Sequence, residues 1–301
     1  MSSSIKNVAL IGAAGGLGPT ILRKLVASGA FNITAVRRKG SKSTYPAGTT
    51  VVDVDFESPD DLKAALTGQD AVVSLVGVPG LAAQTHIVDA AITTGVKRFI
   101  PSEFGSDLEN PLARKLPVFA HKVQVADYLA AKARETSLTY TLVSNAAFLD
   151  WGLERNFLLA TADYKPALYD GGNTVFSATT LESVGDAVVG ILKHPEETKN
   201  RRVYVEDIKI SQNRLLALAK EVTPGKQWLP HQVSVDAVVK EADEKLAKGD
   251  YAHENFIPYL FRALFDPVYG PSFEKTDNEL LGVKGVDEEF VVELLKRIIK
   301  Q

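Results

Sequence analysis

One stretch near the start constrains the fold of this chain more than any other. The apolar run 8–11, Val-Ala-Leu-Ile, reads as a buried strand closed by turn residues. Gly12, Gly15 and Gly18 follow at intervals of three, and then comes Pro19, which suits the first turn of a helix. Ile21, Leu22, Leu25 and Val26 continue at helical spacing. Strand, glycine turn and helix in that order form the context of a dinucleotide-binding fingerprint. The loop of Gly12, Ala14, Gly15, Gly16, Leu17 and Gly18 is expected to bring main chain close to a pyrophosphate, with the helix N-terminus adding unpaired N–H groups and a partial positive charge. The spacing is GxxGxxG, one residue longer in its first gap than GxGxxG.

The first half goes on alternating apolar strands with helical patterns. Residues 33–36, 50–54, 70–77 and 140–144 read as strands, and Arg98 opens another that exits through Gly105. Ser58 followed by Pro59, Asp60 and Asp61 is a capped helix start with an acidic first turn. This alternation predicts an α/β fold, a Rossmann-type doubly wound parallel sheet that binds ligands beyond the carboxyl ends of its strands. Gly77 and Val78, at the exit of the 70–77 strand, are expected beside the ribose and nicotinamide. Cofactor choice turns on the end of the second strand, where an NAD site places an acidic residue against the ribose hydroxyl. Here no acidic residue occurs between Gly12 and Asp53, and the strand runs into Arg37, Arg38 and Lys39, followed by Ser41, Lys42 and Ser43. Arg37, Arg38 and Lys42 suit a 2′-phosphate, so the expected cofactor is NADPH.

Composition narrows the partners. A net charge of −3 gives no electrostatic footprint for nucleic acid, and the absence of cysteine removes disulfide and thiolate chemistry. No apolar run reaches membrane-spanning length and no apolar core follows the polar start, so a soluble, cytoplasmic protein is expected. His86, His121, His194, His231 and His253 are scattered without ligand spacing, which argues against a metal site.

The next helical pattern holds the candidate for chemistry. Val118, Lys122, Val125 and Leu129 fall on one face, which sets a lysine in an apolar stripe. Desolvated there, Lys122 would lose proton affinity and could donate or accept a proton; at the edge of the stripe it would instead reach water. Spacing alone fits both. Tyr128 and Lys132 have the YxxxK spacing of short-chain dehydrogenases, but Tyr128 shares a more polar face with His121 and Gln124 and lies further from the helix start.

Gly12, Gly15 and Gly18, the segment Arg98 to Gly105 with its Pro-Ser-Glu-Phe-Gly, and Val118-Phe-Ala-His-Lys122 together resemble the isoflavone reductase-like group of the NmrA-like, atypical short-chain dehydrogenase family. That group includes pinoresinol–lariciresinol and phenylcoumaran benzylic ether reductases. The resemblance implies an NADPH-dependent reductase of small aromatic compounds with Lys122 as the catalytic lysine. In that group valine replaces the tyrosine of YxxxK, here Val118. Asn145 begins the crossover to the second half, and by resemblance Phe148 packs near the nicotinamide. Some members are regulatory or redox-sensing proteins that bind NADP(H) without turnover; the presence of Lys122 favours an enzyme.

Residues 1–152 are expected to form the NADP-binding domain and 153–301 a smaller, mainly helical substrate domain, with later strands near 167–205 rejoining the first. Phe148, Trp151 and Phe157 place aromatic rings near the expected cleft, a pattern that equally suits core packing.

Overall fold

The central early strands are buried almost continuously rather than alternately, because helices cover both faces of the sheet they form. In the computed structural model, which describes residues 4–299, the strands of the first half are β1 (Asn7–Ile11), β2 (Asn32–Arg38), β3 (Thr50–Val54), β4 (Ala71–Ser74), β5 (Arg98–Ile100) and β6 (Thr139–Ser144). Between them run α1 (Gly18–Ala27), α2 (Pro59–Leu66), α3 (Gln84–Thr93) and α4 (Ala120–Glu135). The second half begins with β7 (Ala147–Phe148), α5 (Leu149–Glu154), β8 (Ala167–Tyr169), β9 (Val175–Thr179), α6 (Leu181–Lys193), β10 (Arg201–Tyr204), β11 (Ile208–Ser211) and α7 (Gln212–Glu221). It continues through β12 (His231–Val233), α8 (Val235–Ala247), α9 (Ile257–Phe265), α10 (Asn278–Leu281) and α11 (Glu288–Ile299).

Seven strands form the main sheet in the order β10-β6-β5-β4-β1-β2-β3, all parallel, the Rossmann-type arrangement expected from the alternating pattern. Val8, Leu10, Ile33, Ala35 and Val73 face α1 and α6, meeting Ile21, Leu25, Val184 and Val188. Ala9, Ile11, Val36, Val72 and Phe99 face α2, α3 and α4, meeting Leu62, Leu66, Val88, Val125 and Leu129. The caps are local: the Ser58 hydroxyl accepts from the Asp61 N–H at 3.2 Å, and the Thr180 hydroxyl from the Ser183 N–H at 3.2 Å. Arg98, 2% exposed, staples the foot of the sheet. It donates to the hydroxyls of Thr139, Thr141 and Thr198 and to the Pro195 carbonyl, and burial lowers its pKa to about 10.

Of the strands near 167–205, only β10 joins the main sheet. Strands β11, β9 and β7 form a separate three-stranded sheet, and β12 pairs with β8. The second half is therefore less purely helical than its sequence suggests. Strands of two to five residues carry too little period to stand out from turns. Its core gathers Leu153, Phe176, Leu215, Tyr259, Phe265 and Leu295.

Candidate active site

The glycine turn joins β1 to α1 at the carboxyl edge of the sheet. Gly12 has φ +82°, and a Cβ built there would lie 2.5 Å from the Leu75 carbonyl oxygen, so both conformation and space demand glycine. Gly18 packs as closely: a Cβ there would sit 2.5 Å from the Ala13 carbonyl. The turn closes on itself, with the Gly15 N–H donating to Gly12 O at 3.0 Å and the Gly18 N–H to Gly15 O at 2.9 Å. Ala14, Gly15 and Gly16 are exposed, Leu17 is half-buried, and nothing lies within 4 Å of a Cβ on Gly16. Gly12→Ala is expected to destabilise the fold by ~2 kcal/mol or more in denaturant melts, since a left-handed backbone and a main-chain clash combine. Gly16→Ala should melt normally, which separates the turn's folding role from any ligand role at its tip.

Arg37 and Arg38 lie within β2 rather than after it. Arg37 Nε donates to Asp53 Oδ1 at 2.6 Å across the β2–β3 register, and Nη1 donates to the Ser43 carbonyl. The guanidinium lies 6.0 Å from the Tyr45 ring centroid. This hydrogen-bonded pairing holds the Asp53 carboxyl below its usual range. Lys39 pairs with Asp61, while Arg38 and Lys42 are exposed. Gly77 and Val78 are exposed where β4 leaves the sheet, Val78 opening a short 3-10 turn.

Lys122 lies in the first turn of α4, and Val118 lies in the preceding 3-10 turn 117–119, so the apolar stripe begins one turn before the helix. The half-buried Lys122 Nζ donates to the main-chain oxygen of Glu103 and, at 3.3 Å, to that of Phe104. A Cβ on Gly105 would stand 3.5 Å from the same Nζ. The ammonium is thus held at the exit of β5, on the carboxyl side of the sheet. Burial lowers its pKa to about 8, Glu103 opposing and Arg202 adding to the shift.

Asn145, fully buried, donates its N–H to Gly105 O at 3.1 Å. Its Nδ2 donates to Ala146 O at 3.3 Å, but among the described residues its Oδ1 has no hydrogen-bond partner. Ala146 beside it has φ +50°, a strained conformation of the kind that collects at functional sites. Phe148 is half-buried against the α1–α6 face core. Trp151, 39% exposed, starts a run of rings: 6.1 Å to Phe157, then 5.1 Å to Phe261, then 4.4 Å to Tyr169.

Tyr128 does not join this group. Its hydroxyl donates to Asp89 on α3, Lys132 Nζ lies 5.3 Å from its ring centroid, and burial with the Asp89 bond raises its pKa to about 12. A phenol so held is a poor proton donor near neutrality, and Tyr128→Phe is expected to leave turnover nearly unchanged in steady-state assays. His121 is exposed. Two charged residues belong here that sequence reasoning passed over as participants: Glu103, 2% exposed, and Arg202, 7% exposed, which pair with each other. Their signal was one charge in the apolar exit of β5 and another in the strand pattern of β10.

Among the described residues no cluster of His, Cys, Asp or Glu could hold a metal ion, and no helix is long and apolar enough to cross a membrane. The family model of the NmrA-like family matches residues 4–256. The chain is 35% identical to oxidoreductase poxI of Penicillium oxalicum over 290 residues, covering 93% of this chain and 90% of that protein. It is 27% identical over 295 residues to phenylcoumaran benzylic ether reductase IRL1 of Ginkgo biloba, covering 92% of each. The structure of AtPrR2 with NADP+ and (+)pinoresinol has the same fold, with a TM-score of 0.77 at 18% identity, covering 99% of this chain and 100% of the other. Sequence and fold together make this chain an oxidoreductase that belongs to the NmrA-like family and is similar to isoflavone and phenylcoumaran benzylic ether reductases.

Proposed function

We propose that this protein is an NADPH-dependent reductase of a small aromatic substrate, with Lys122 delivering the proton. The observation that carries the reading is Lys122 itself: an ammonium of lowered proton affinity, held by two main-chain carbonyls at the carboxyl side of the sheet. The residues fit a dinucleotide. The exposed tip Ala14, Gly15 and Gly16 leaves main chain open to a pyrophosphate. Arg37, Arg38 and Lys42 supply charge for the 2′-phosphate, and Gly77 and Val78 border the ribose. The unpartnered Oδ1 of Asn145 suits a carboxamide N–H donor, with Phe148 beside it.

When bound, NADPH would supply a hydride, a proton with two electrons, to an electron-poor carbon. Lys122 then gives its Nζ proton to the oxygen that gains charge, and recovers it from water. Trp151, Phe157 and Phe261 would stack on the aromatic part of the substrate. The NADP+ and (+)pinoresinol of the AtPrR2 structure support a site of this kind in the shared fold.

The test is NADPH consumption against a panel of aryl ketones, quinones and benzylic aryl ethers, with quenching of Trp151 fluorescence as a parallel binding readout. Turnover that follows NADPH and not NADH supports the reading. Tight NADPH binding with no turnover across the panel would overturn it in favour of a dinucleotide-sensing regulator.

A further inference from the structure

The lysine is not held by main chain alone. Glu103 supplies one of the two carbonyls that receive Lys122 Nζ, and its own carboxylate is buried a few bonds away. Oε1 accepts from Arg202 Nη2, while Oε2 is buried and, among the described residues, has no hydrogen-bond partner. Arg202 comes from β10, 99 residues along the chain, and its side chain is 3% exposed. Its Nη1 donates to Ser144 Oγ at 2.8 Å, at the end of β6 beside Asn145. Its Nε lies 3.4 Å from Glu109 and 4.0 Å from Asp107.

Removing two charges from water costs several kcal/mol per ion, and an apolar pair of equal volume is often as stable. A buried pair with one oxygen left unmatched is therefore a poor stability device. What it does provide is an anchored residue that gives Lys122 Nζ a main-chain acceptor and faces it with a carboxyl group, whose proton affinity burial raises and Arg202 opposes. We infer that Glu103, anchored by Arg202, is a positioning residue that aims Lys122 toward the carboxyl edge of the sheet and keeps its ammonium charged for proton delivery. This rests on the reading of Lys122 as the proton donor.

The groups that face this centre come from three elements: Lys122 from α4, Arg202 and Tyr204 from β10, and Glu103, Asp107 and Glu109 from the segment after β5. Arg202 disfavours a charged Lys122, and Glu103 favours it. Glu103→Gln keeps the main-chain carbonyl and an oxygen for Arg202 but removes the negative charge, leaving Arg202 to act on Lys122 unopposed.

The experiment follows the Cε resonance of Lys122 against pH in the full chain, assigned by its loss in Lys122→Arg. Glu103→Gln is expected to lower the Lys122 midpoint by about one pH unit. Glu103→Asp, which keeps the charge, should hold it within about half a unit of the unmodified protein. A folded Glu103→Gln protein whose midpoint is unmoved or raised would overturn the inference, because a purely structural role predicts a lower melting temperature and no shift. Should Glu103→Gln fail to fold, the unmodified protein decides. The Glu103 Cδ resonance should inflect at the Lys122 midpoint and lose that inflection in Lys122→Met; no inflection overturns the coupling. These titrations need no substrate, so they stand apart from the turnover assay that tests the reductase reading.

Discussion

Lys122→Ala is expected to lose ~10²–10⁴ of turnover, the usual contribution of a positioned proton-transfer group, while NADPH affinity falls far less. Lys122→Arg should not restore the rate, because a guanidinium stays protonated and has no proton to give near neutrality. Stability should move the other way. Folding takes the Lys122 pKa from 10.5 down to about 8, so between those values the unfolded chain binds more protons and stability rises with pH. Below about pH 8 the full cost of the buried ammonium is present. Lys122→Met removes it and is expected to stabilise the protein by on the order of 2–3 kcal/mol at pH 7, with the gain gone above about pH 10.5. Denaturant melts at pH 7 and above pH 10.5, set beside steady-state rates, measure both effects. A Lys122→Met protein that is inactive and no more stable at pH 7 would show that the ammonium is solvated in the fold. A Lys122→Ala protein that retains turnover would remove the lysine from the mechanism.

Arg37→Ala is expected to weaken NADPH by roughly 10–100-fold and NADH by little, since a charge-assisted phosphate contact is lost. The structure adds a second reason. Arg37 neutralises Asp53 across the β2–β3 register, so its removal also bares a carboxylate at the end of β2, where the 2′-phosphate is proposed to sit. Asp53→Asn should then do the opposite, leaving NADPH affinity unchanged or improved by freeing the guanidinium. Fluorescence titration of both cofactors against the three proteins checks this. An equal loss of NADH and NADPH affinity in Arg37→Ala would mean that the residue only braces the strand edge.

What could be read from the sequence was local. Gly12 and Gly18 announced the turn because no other residue type meets a positive φ or so close a main-chain approach. The strands β1, β4 and β6 were visible because each is an apolar run that a parallel sheet buries on both faces, while β2 and the edge strand β3 showed through their valine and isoleucine content despite partial exposure. The helix carrying Lys122 was visible because Val125 and Leu129 repeat at its period. The same logic failed for β8, β11 and β12, which are too short to show a period and exist only because the second half packs them into small sheets. It also passed over Asp53, whose role depends on strand register rather than on distance along the chain.

The sequence by itself determined the glycine turn, the parallel sheet and a lysine within the apolar stripe of α4, all set by backbone geometry and periodicity within a few residues. It left open whether that lysine is desolvated or snorkels to water, and only face geometry spoke against Tyr128 as its rival. The tertiary structure shows what surrounds each of the two side chains. Asp89, reached across α3, takes the Tyr128 hydroxyl, while the β5 exit and β10 bring two carbonyls, a carboxylate and a guanidinium around Lys122. Proton affinity follows desolvation and the field of nearby charges, and for Lys122 the nearest such charges come from segments that only folding brings together.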